Sequence, residues 1–254
     1  MDRKKTEIIT IASVKGGVGK SALAIIFSYI LKNFNKKVLL VDLDPQNSLT
    51  SYFIRHIKSI EGINVYYMFK DYQDFDPNKY LNEINNNMYI IPSHPILCKF
   101  EQEDKRYKEQ LLEYCVKKIL INNNFDYILI DTPPSLGPLL YNALNITNKV
   151  IIPVQLERWS VEAFPMLMDA IEEVNLFKDK KIDISIVENQ FIKNRNTFID
   201  VEKQVLKKYS ILIKGKIHSF NSVKVLINEL KEPDVSAVYY KEAQEALEKI
   251  VKVR

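Results

Sequence analysis

The chain has 254 residues and a formal net charge of +4, with 46% hydrophobic and 27% charged residues. This composition is typical of soluble globular proteins, and the length allows one or two domains, although single α/β domains often reach this size. No apolar run approaches membrane-spanning length, and residues 1–5 lead into the first apolar segment without a signal-peptide pattern. We therefore expect a cytoplasmic protein.

Short apolar segments recur along the chain and alternate with longer segments of helical periodicity. The predicted strands cover residues 8–12, 38–41, 88–91, 127–130, 150–153, 182–187 and 211–217. The predicted helices include residues 22–31, 110–121, 161–174, 198–208 and 238–253. Such alternation predicts a doubly wound α/β fold, in which helices cover both faces of a mostly parallel sheet. Residues 59–87 are less regular, and we interpret them as a variable excursion within one domain of residues 1–254.

The first predicted strand leads into a glycine-rich turn that reads Ser13-Val14-Lys15-Gly16-Gly17-Val18-Gly19-Lys20-Ser21. A strand, a glycine-rich turn and Lys-Ser at a helix start form the layout of a phosphate-binding loop. Glycines let backbone N–H groups curl around phosphate oxygens, and the helix N-terminus adds partial positive charge. Val14 stands where the usual pattern has its first glycine, and Lys15 adds a second lysine that phosphate binding alone does not require.

Residues 15–21 match the deviant Walker A pattern K-G-G-x-G-K-[ST] at every position. Within that group the chain resembles ParA-type ATPases, the motors of plasmid and chromosome partition, along nearly its whole length. Val41-Asp42-Leu43-Asp44-Pro45-Gln46 resembles the second family motif, and Leu129 to Gly137 resembles the third. A further family segment is matched by Ile152 to Gln155, followed by Glu157, Glu162 and Ala163.

The resemblance implies a site for ATP and Mg²⁺. The implied phosphate-binding residues are Lys15, Gly16, Gly17, Val18, Gly19, Lys20, Ser21 and Ala22. Mg²⁺ would be held by Ser21, Asp42 and Asp131, with the carboxylates acting through water, and Asp44 would orient the attacking water. Lys20 would neutralise phosphate charge, and Lys15 would cross to a second protomer, so that ATP bridges a homodimer.

The sequence departs from the family at the adenine. The Pro-Arg pair usual after the last strand is missing, because the loop reads Ile217-His218-Ser219-Phe220-Asn221. Asn189 is a candidate base contact instead, and the choice of ATP over GTP rests on the resemblance. The motifs show no evident His or Glu general base, which suits phosphoryl transfer by positioning and charge neutralisation, with slow intrinsic turnover.

Residues 191–231 carry nine Lys or Arg against three acidic residues, whereas the rest of the chain is slightly negative. ParA dimers hold non-specific double-stranded DNA on such a basic C-terminal face. The candidate DNA-binding residues are Lys193, Arg195, Lys207, Lys208 and Lys224. The alternative is a solvated lysine-rich surface. The early first strand leaves no room for a helix-turn-helix, so we expect the short, non-repressor form, located at the nucleoid when ATP-bound and stimulated by a ParB-like partner.

Two other functions remain open. A MinD-like ATPase would attach to membranes through its last helix, but here the polar face of residues 238–253 mixes acids with lysines, so core packing is expected for its apolar face. A nucleotide-dependent scaffold for metal-cofactor delivery would need a cysteine pair, and Cys98 and Cys115 form no C-x-x-C motif.

Overall fold

The computed structural model describes residues 5–74, 76–155, 158–191, 208–218 and 221–251. Within these residues, one sheet contains β1 (Glu7–Ile11), β2 (Val38–Asp42), β3 (Asn82–Asn85), β4 (Met88–Ile91), β5 (Tyr127–Asp131), β6 (Lys149–Val154), β7 (Asp183–Phe191) and β8 (Ile213–His218). Across the sheet the strands follow the order β3-β4-β2-β5-β1-β6-β7-β8. Neighbouring strands are parallel except β3 and β4, which are antiparallel.

The connections between strands contain the helices. The α-helices of the described residues are α1 (Lys20–Asn33), α2 (Ser48–Tyr52), α3 (Val65–Lys70), α4 (Pro77–Tyr80), α5 (Cys98–Gln102), α6 (Leu111–Asn122), α7 (Pro138–Ile146), α8 (Arg158–Asn175), α9 (Asn221–Glu229) and α10 (Val238–Ile250). Short 3₁₀ turns lie at Ile54–His56, Pro95–Leu97, Lys108–Gln110 and Ser210–Leu212. Among these helices, none has both the length and the apolar character needed to cross a membrane.

Successive residues of a strand point to opposite faces of the sheet. In the central strands nearly all of these residues are apolar, so both faces of the sheet are buried. In β1, Ile9 and Ile11 belong to the core layer beneath α1 and α10, whereas Ile8 joins the layer beneath α6. A third cluster under α7 and α8 continues this second layer toward β6 and β7. The predicted doubly wound, mostly parallel α/β fold is therefore confirmed.

Several local predictions differ from the structure. The strand predicted at 211–217 begins only at Ile213, because Ser210–Leu212 forms a 3₁₀ turn. Strand β3 was not predicted; it lies within the segment 59–87, together with α3 and α4. The helix predicted at 198–208 lies outside the described residues except for Lys208.

Helix α10 packs closely against the edge strand β8. A Cβ atom placed on Gly215 would lie 2.6 Å from the Cβ of Ala246, so only glycine permits this approach of helix to strand. The buried face of α10 consists of Tyr239, Tyr240, Ala243, Ala246, Leu247 and Ile250. This apolar face therefore packs in the core, as the sequence predicted.

Candidate nucleotide-binding site

The turn between β1 and α1 adopts the backbone of an anion-binding loop. Gly17 and Gly19 have φ angles of 77° and 88°, in the left-handed region that favours glycine. Gly19 is the N-cap of α1, and its conformation sends the chain directly into the helix at Lys20. The positive end of the α1 dipole thus lies at the mouth of the loop, where it favours a bound anion.

Carbonyl groups of this loop are bonded by side chains from neighbouring strands. The Gln155 side chain, just after β6, donates from Nε2 to the Gly17 carbonyl at 3.1 Å. Asn189 in β7 donates from Nδ2 to the Val18 carbonyl at 2.7 Å. Because a carbonyl oxygen repels phosphate, donors that engage these carbonyls from outside the loop favour its use as an anion site.

Two adjacent parallel strands each end in an aspartate, at the edge of the sheet where α1 begins. Asp42 is the last residue of β2 and Asp131 the last of β5, and the two are direct register partners. Both are fully buried. Asp42 accepts hydrogen bonds from Thr50 and from the Asp44 backbone N–H. In contrast, neither carboxylate oxygen of Asp131 has a hydrogen-bond partner of ordinary geometry in the described part of the chain.

Burial makes ionisation of these carboxyl groups costly. Desolvation raises the pKa of Asp42 to about 7, although hydrogen bonds from Thr50 and Asp44 oppose the rise. The pKa of Asp131 is raised well above its usual range by burial and by the charge of Asp42, while Ser21 and Lys20 lower it. Burial also raises the pKa of Asp44. A cation at this point would stabilise the ionised forms.

The Lys20 ammonium group supplies one positive charge beside these carboxylates. Its side chain is nearly buried, with 7% of the residue exposed. Burial lowers the pKa of Lys20, whereas the charges of Asp131 and Asp44 raise it. Lys20 Nζ also lies 3.5 Å from the Lys15 carbonyl oxygen, at the limit of a hydrogen bond, which places the ammonium inside the loop. One lysine does not balance three carboxylates.

The donor set fits Mg²⁺, which prefers oxygen ligands and is usually held by one or two carboxylates, waters and substrate phosphates. Ser21 follows Lys20 at the start of α1 and lies close enough to Asp131 to lower its pKa. The described residues contain no group of three or more His, Cys, Asp or Glu that could hold a metal ion by itself. Phosphate oxygens are the ligands that would complete the site.

Comparison with known proteins points to one family. The AAA_31 family model, described as an AAA domain, matches residues 6–186. The chromosome-partitioning ATPase Soj of Thermus thermophilus is 34% identical over 174 residues, which is 68% of this chain and 65% of that protein. The sporulation initiation inhibitor protein Soj of Bacillus subtilis is 34% identical over 170 residues, 66% of each chain. The chain belongs to the Soj/ParA family of partition ATPases.

A solved structure of another protein resembles this ParA-family chain over nearly its whole length. An AMPPNP-bound plasmid partition protein of Borrelia burgdorferi is 34% identical, with a TM-score of 0.86 over 98% of this chain and 99% of that one. An ATP complex of a McdA variant from Cyanothece has a TM-score of 0.82 but 19% identity, and so shares the fold. In sequence, the match to the first curated relatives spans about two thirds of their length.

Most of the predicted site residues of this ParA-family chain lie close together in the structure. The loop 15–21, Asp42, Asp44 and Asp131 converge at the carboxyl edge of the sheet. Asn189 contacts the loop through Val18, while its contact with a base stays a prediction. Sequence analysis missed Thr50, which follows Asp42 by eight residues and carries no motif signal of its own.

The predicted DNA-binding residues are only partly described. Lys193, Arg195 and Lys207 lie outside the described residues. Lys208 and Lys224 are exposed, and Lys224 lies on α9. A further lysine of the basic region, Lys216, forms an ion pair with an acidic residue: its Nζ lies 2.7 Å from Oε2 of Glu188.

Proposed function

We propose that this chain is an ATPase that hydrolyses Mg²⁺-ATP to ADP and phosphate. The observation that carries the proposal is the convergence of Lys20 with two buried aspartates, Asp42 and Asp131, at the open end of a glycine loop. Phosphate oxygens and a metal ion are the groups that this mixture of cationic, carboxylate and backbone N–H groups can bind together. The AMPPNP bound to the Borrelia relative supports the same ligand class.

Each residue has a defined part in this proposal. Backbone N–H groups of residues 16–21 and the Lys20 ammonium bind the phosphates. Mg²⁺, when bound, would supply charge neutralisation on the transferred phosphoryl group. Ser21, Asp42 and Asp131 would hold the metal, with the carboxylates acting through water, and Asp44 would orient the attacking water. Because catalysis would rely on positioning, without a general base of high reactivity, the proposal includes a slow intrinsic turnover that a partner accelerates.

We further propose that ATP bridges two protomers and that the dimer holds non-specific DNA. Lys15 is half-buried in the loop, next to the exposed Gly16 and Gly17, and this exposure supports the proposal that a second protomer approaches here and is reached by the Lys15 ammonium group. Exposed Lys208 and Lys224 belong to the basic region 191–231, and pairing two such regions multiplies phosphate contacts. A ParB-like centromere-binding protein is the proposed partner, and the ATP-bound form is proposed to associate with the nucleoid.

The MinD-like alternative finds less support. Membrane attachment through the last helix would require its apolar face, but in α10 that face is buried against the core beside α1 and β8. Liposome flotation set beside DNA retention, each with and without ATP, separates the two functions.

The proposed ATP site is tested by calorimetry on Lys20→Ala. Loss of a charge that bonds phosphate should weaken ATP binding by about 100-fold. Lys99→Ala removes an exposed lysine of α5 and is the matched control. In the same series, Lys15→Gln should bind ATP yet remain monomeric by light scattering. Unaltered ATP affinity of Lys20→Ala would overturn the site assignment, and an ATP-induced dimer of Lys15→Gln would overturn the bridging role.

A further inference from the structure

Thr50 makes a dense set of contacts behind the proposed metal site. It lies in α2 and is 1% exposed. Its backbone N–H and its hydroxyl both bond Asp42 Oδ2, at 2.9 and 2.7 Å. The other oxygen of Asp42, Oδ1, accepts the Asp44 N–H at 3.0 Å. The chain from Asp44 to Thr50 therefore folds around the carboxylate of Asp42.

The direction of the Thr50 hydroxyl is fixed by a neighbour. The backbone N–H of Ser93, which follows β4, donates to Thr50 Oγ1 at 2.8 Å. A hydroxyl has one proton and two acceptor positions. Since the Ser93 N–H occupies an acceptor position, the single proton is left to point at Asp42. The relay runs in one direction, from Ser93 through Thr50 to Asp42.

The register partner of Asp42 is not held in this way. Neither carboxylate oxygen of Asp131 has a hydrogen-bond partner of ordinary geometry among the described residues. Asp42 is thus the carboxylate whose orientation is fixed, because three of its four lone-pair sites accept hydrogen bonds. The one site left, on Oδ1, faces a direction that the bonds from Thr50 and Asp44 determine. Mg²⁺ demands near-ideal octahedral geometry, so a fixed carboxylate orients the waters of its coordination shell.

We propose that Thr50 is a positioning residue for the metal, a role that rests on the proposed Mg²⁺-ATP function. Its hydroxyl holds Asp42 in the orientation that the magnesium shell requires, and it anchors the segment that carries Asp44. Outer-shell partners of metal-binding groups commonly have this role, and their loss weakens metal binding about 10- to 100-fold. A hydroxyl that served folding alone would affect stability but not the dependence on magnesium.

The test compares Thr50→Val, which removes the hydroxyl and keeps the N–H, with Thr50→Ser, which retains both donors. Ser51→Ala is the control, because Ser51 lies in the same helix but bonds the side chain of Asn47, the N-cap residue of α2. ATP affinity is measured by calorimetry in EDTA and again in Mg²⁺. For Thr50→Val we expect ATP affinity in EDTA to stay at the wild-type value, while the gain in affinity caused by Mg²⁺ falls about tenfold. Thr50→Ser and Ser51→Ala should keep the full gain.

The outcomes separate this proposal from the function on which it rests. An unchanged magnesium gain in Thr50→Val, or an equal loss of affinity with and without Mg²⁺, would overturn the positioning role. If Thr50→Val does not fold, Thr50→Ser still decides, because loss of the magnesium gain despite a retained hydroxyl contradicts the proposal. Wild-type protein that binds no ATP under either condition would instead overturn the proposed function itself.

Discussion

The ionisation of Asp42 should make the magnesium-free protein less stable as pH rises. Burial raises the pKa of this carboxyl from 3.8 to about 7, so between these values the unfolded chain loses the proton while the folded chain keeps it. The contribution of Asp42 to folding stability is therefore fully present below pH 3.8, and it is lost progressively until the pH passes about 7. The shift corresponds to about 4 kcal/mol in total, of which roughly 2 to 3 kcal/mol is lost between pH 5 and pH 8.

Urea unfolding in EDTA at several pH values measures this effect. Asp42→Asn cannot titrate, so the difference in unfolding free energy between variant and wild type should change by roughly 2 to 3 kcal/mol from pH 5 to pH 8. The amide introduced by this substitution would face N–H donors, which lowers the variant's stability at every pH, so the slope is the readout. Asp179→Asn, at an exposed carboxylate, is the matched control for loss of charge. Parallel curves of unfolding free energy against pH for wild type and Asp42→Asn would show that burial does not raise the pKa of Asp42.

Three further predictions concern separate features of the molecule. Asp44→Ala should bind Mg²⁺-ATP but hydrolyse it slowly, because the attacking water is no longer oriented. It should therefore accumulate as a dimer in light scattering with ATP, and a variant that stays monomeric would contradict this. Gly215→Ala should lower the free energy of unfolding by about 1 to 3 kcal/mol in urea titrations, because its Cβ meets Ala246, while ATP binding stays unchanged. Burial raises the pKa of Cys115 to about 12, so in the folded protein at pH 8 a thiol reagent should modify the exposed Cys98 alone; rapid modification of both thiols would show that Cys115 is accessible.

The central strands could be predicted from the sequence because burial on both faces demands continuous apolar residues. Residues 127–130 formed such a run, and β5 extends it by one residue to Asp131. Strand β3 could not be recognised, because it reads Asn82-Glu83-Ile84-Asn85 and is an antiparallel edge strand with Glu83 exposed. Strand β3 forms because it pairs with β4, and its short polar sequence does not encode that pairing.

The site was predictable where its residues end strands or form the loop. Asp42 and Asp131 follow apolar runs, and parallel strands bring their carboxyl ends to one edge. The contacts of Thr50 and Asn189 were not predictable, since they depend on how α2 returns toward β2 and how β7 passes the loop. Those placements are tertiary, and local residue patterns do not specify them.

We propose that ATP switches this chain into a dimer and that this dimer holds DNA without regard to sequence. The decisive experiment is gel retention with duplexes of equal length and differing sequence, in Mg²⁺ with ATP or ADP and over a series of salt concentrations. We predict retention with ATP on every sequence, a steep loss as salt rises through counterion release, and little retention with ADP. Equal retention with ADP and ATP, or strong preference for one sequence, would rule out an ATP-dependent, sequence-independent DNA-binding dimer.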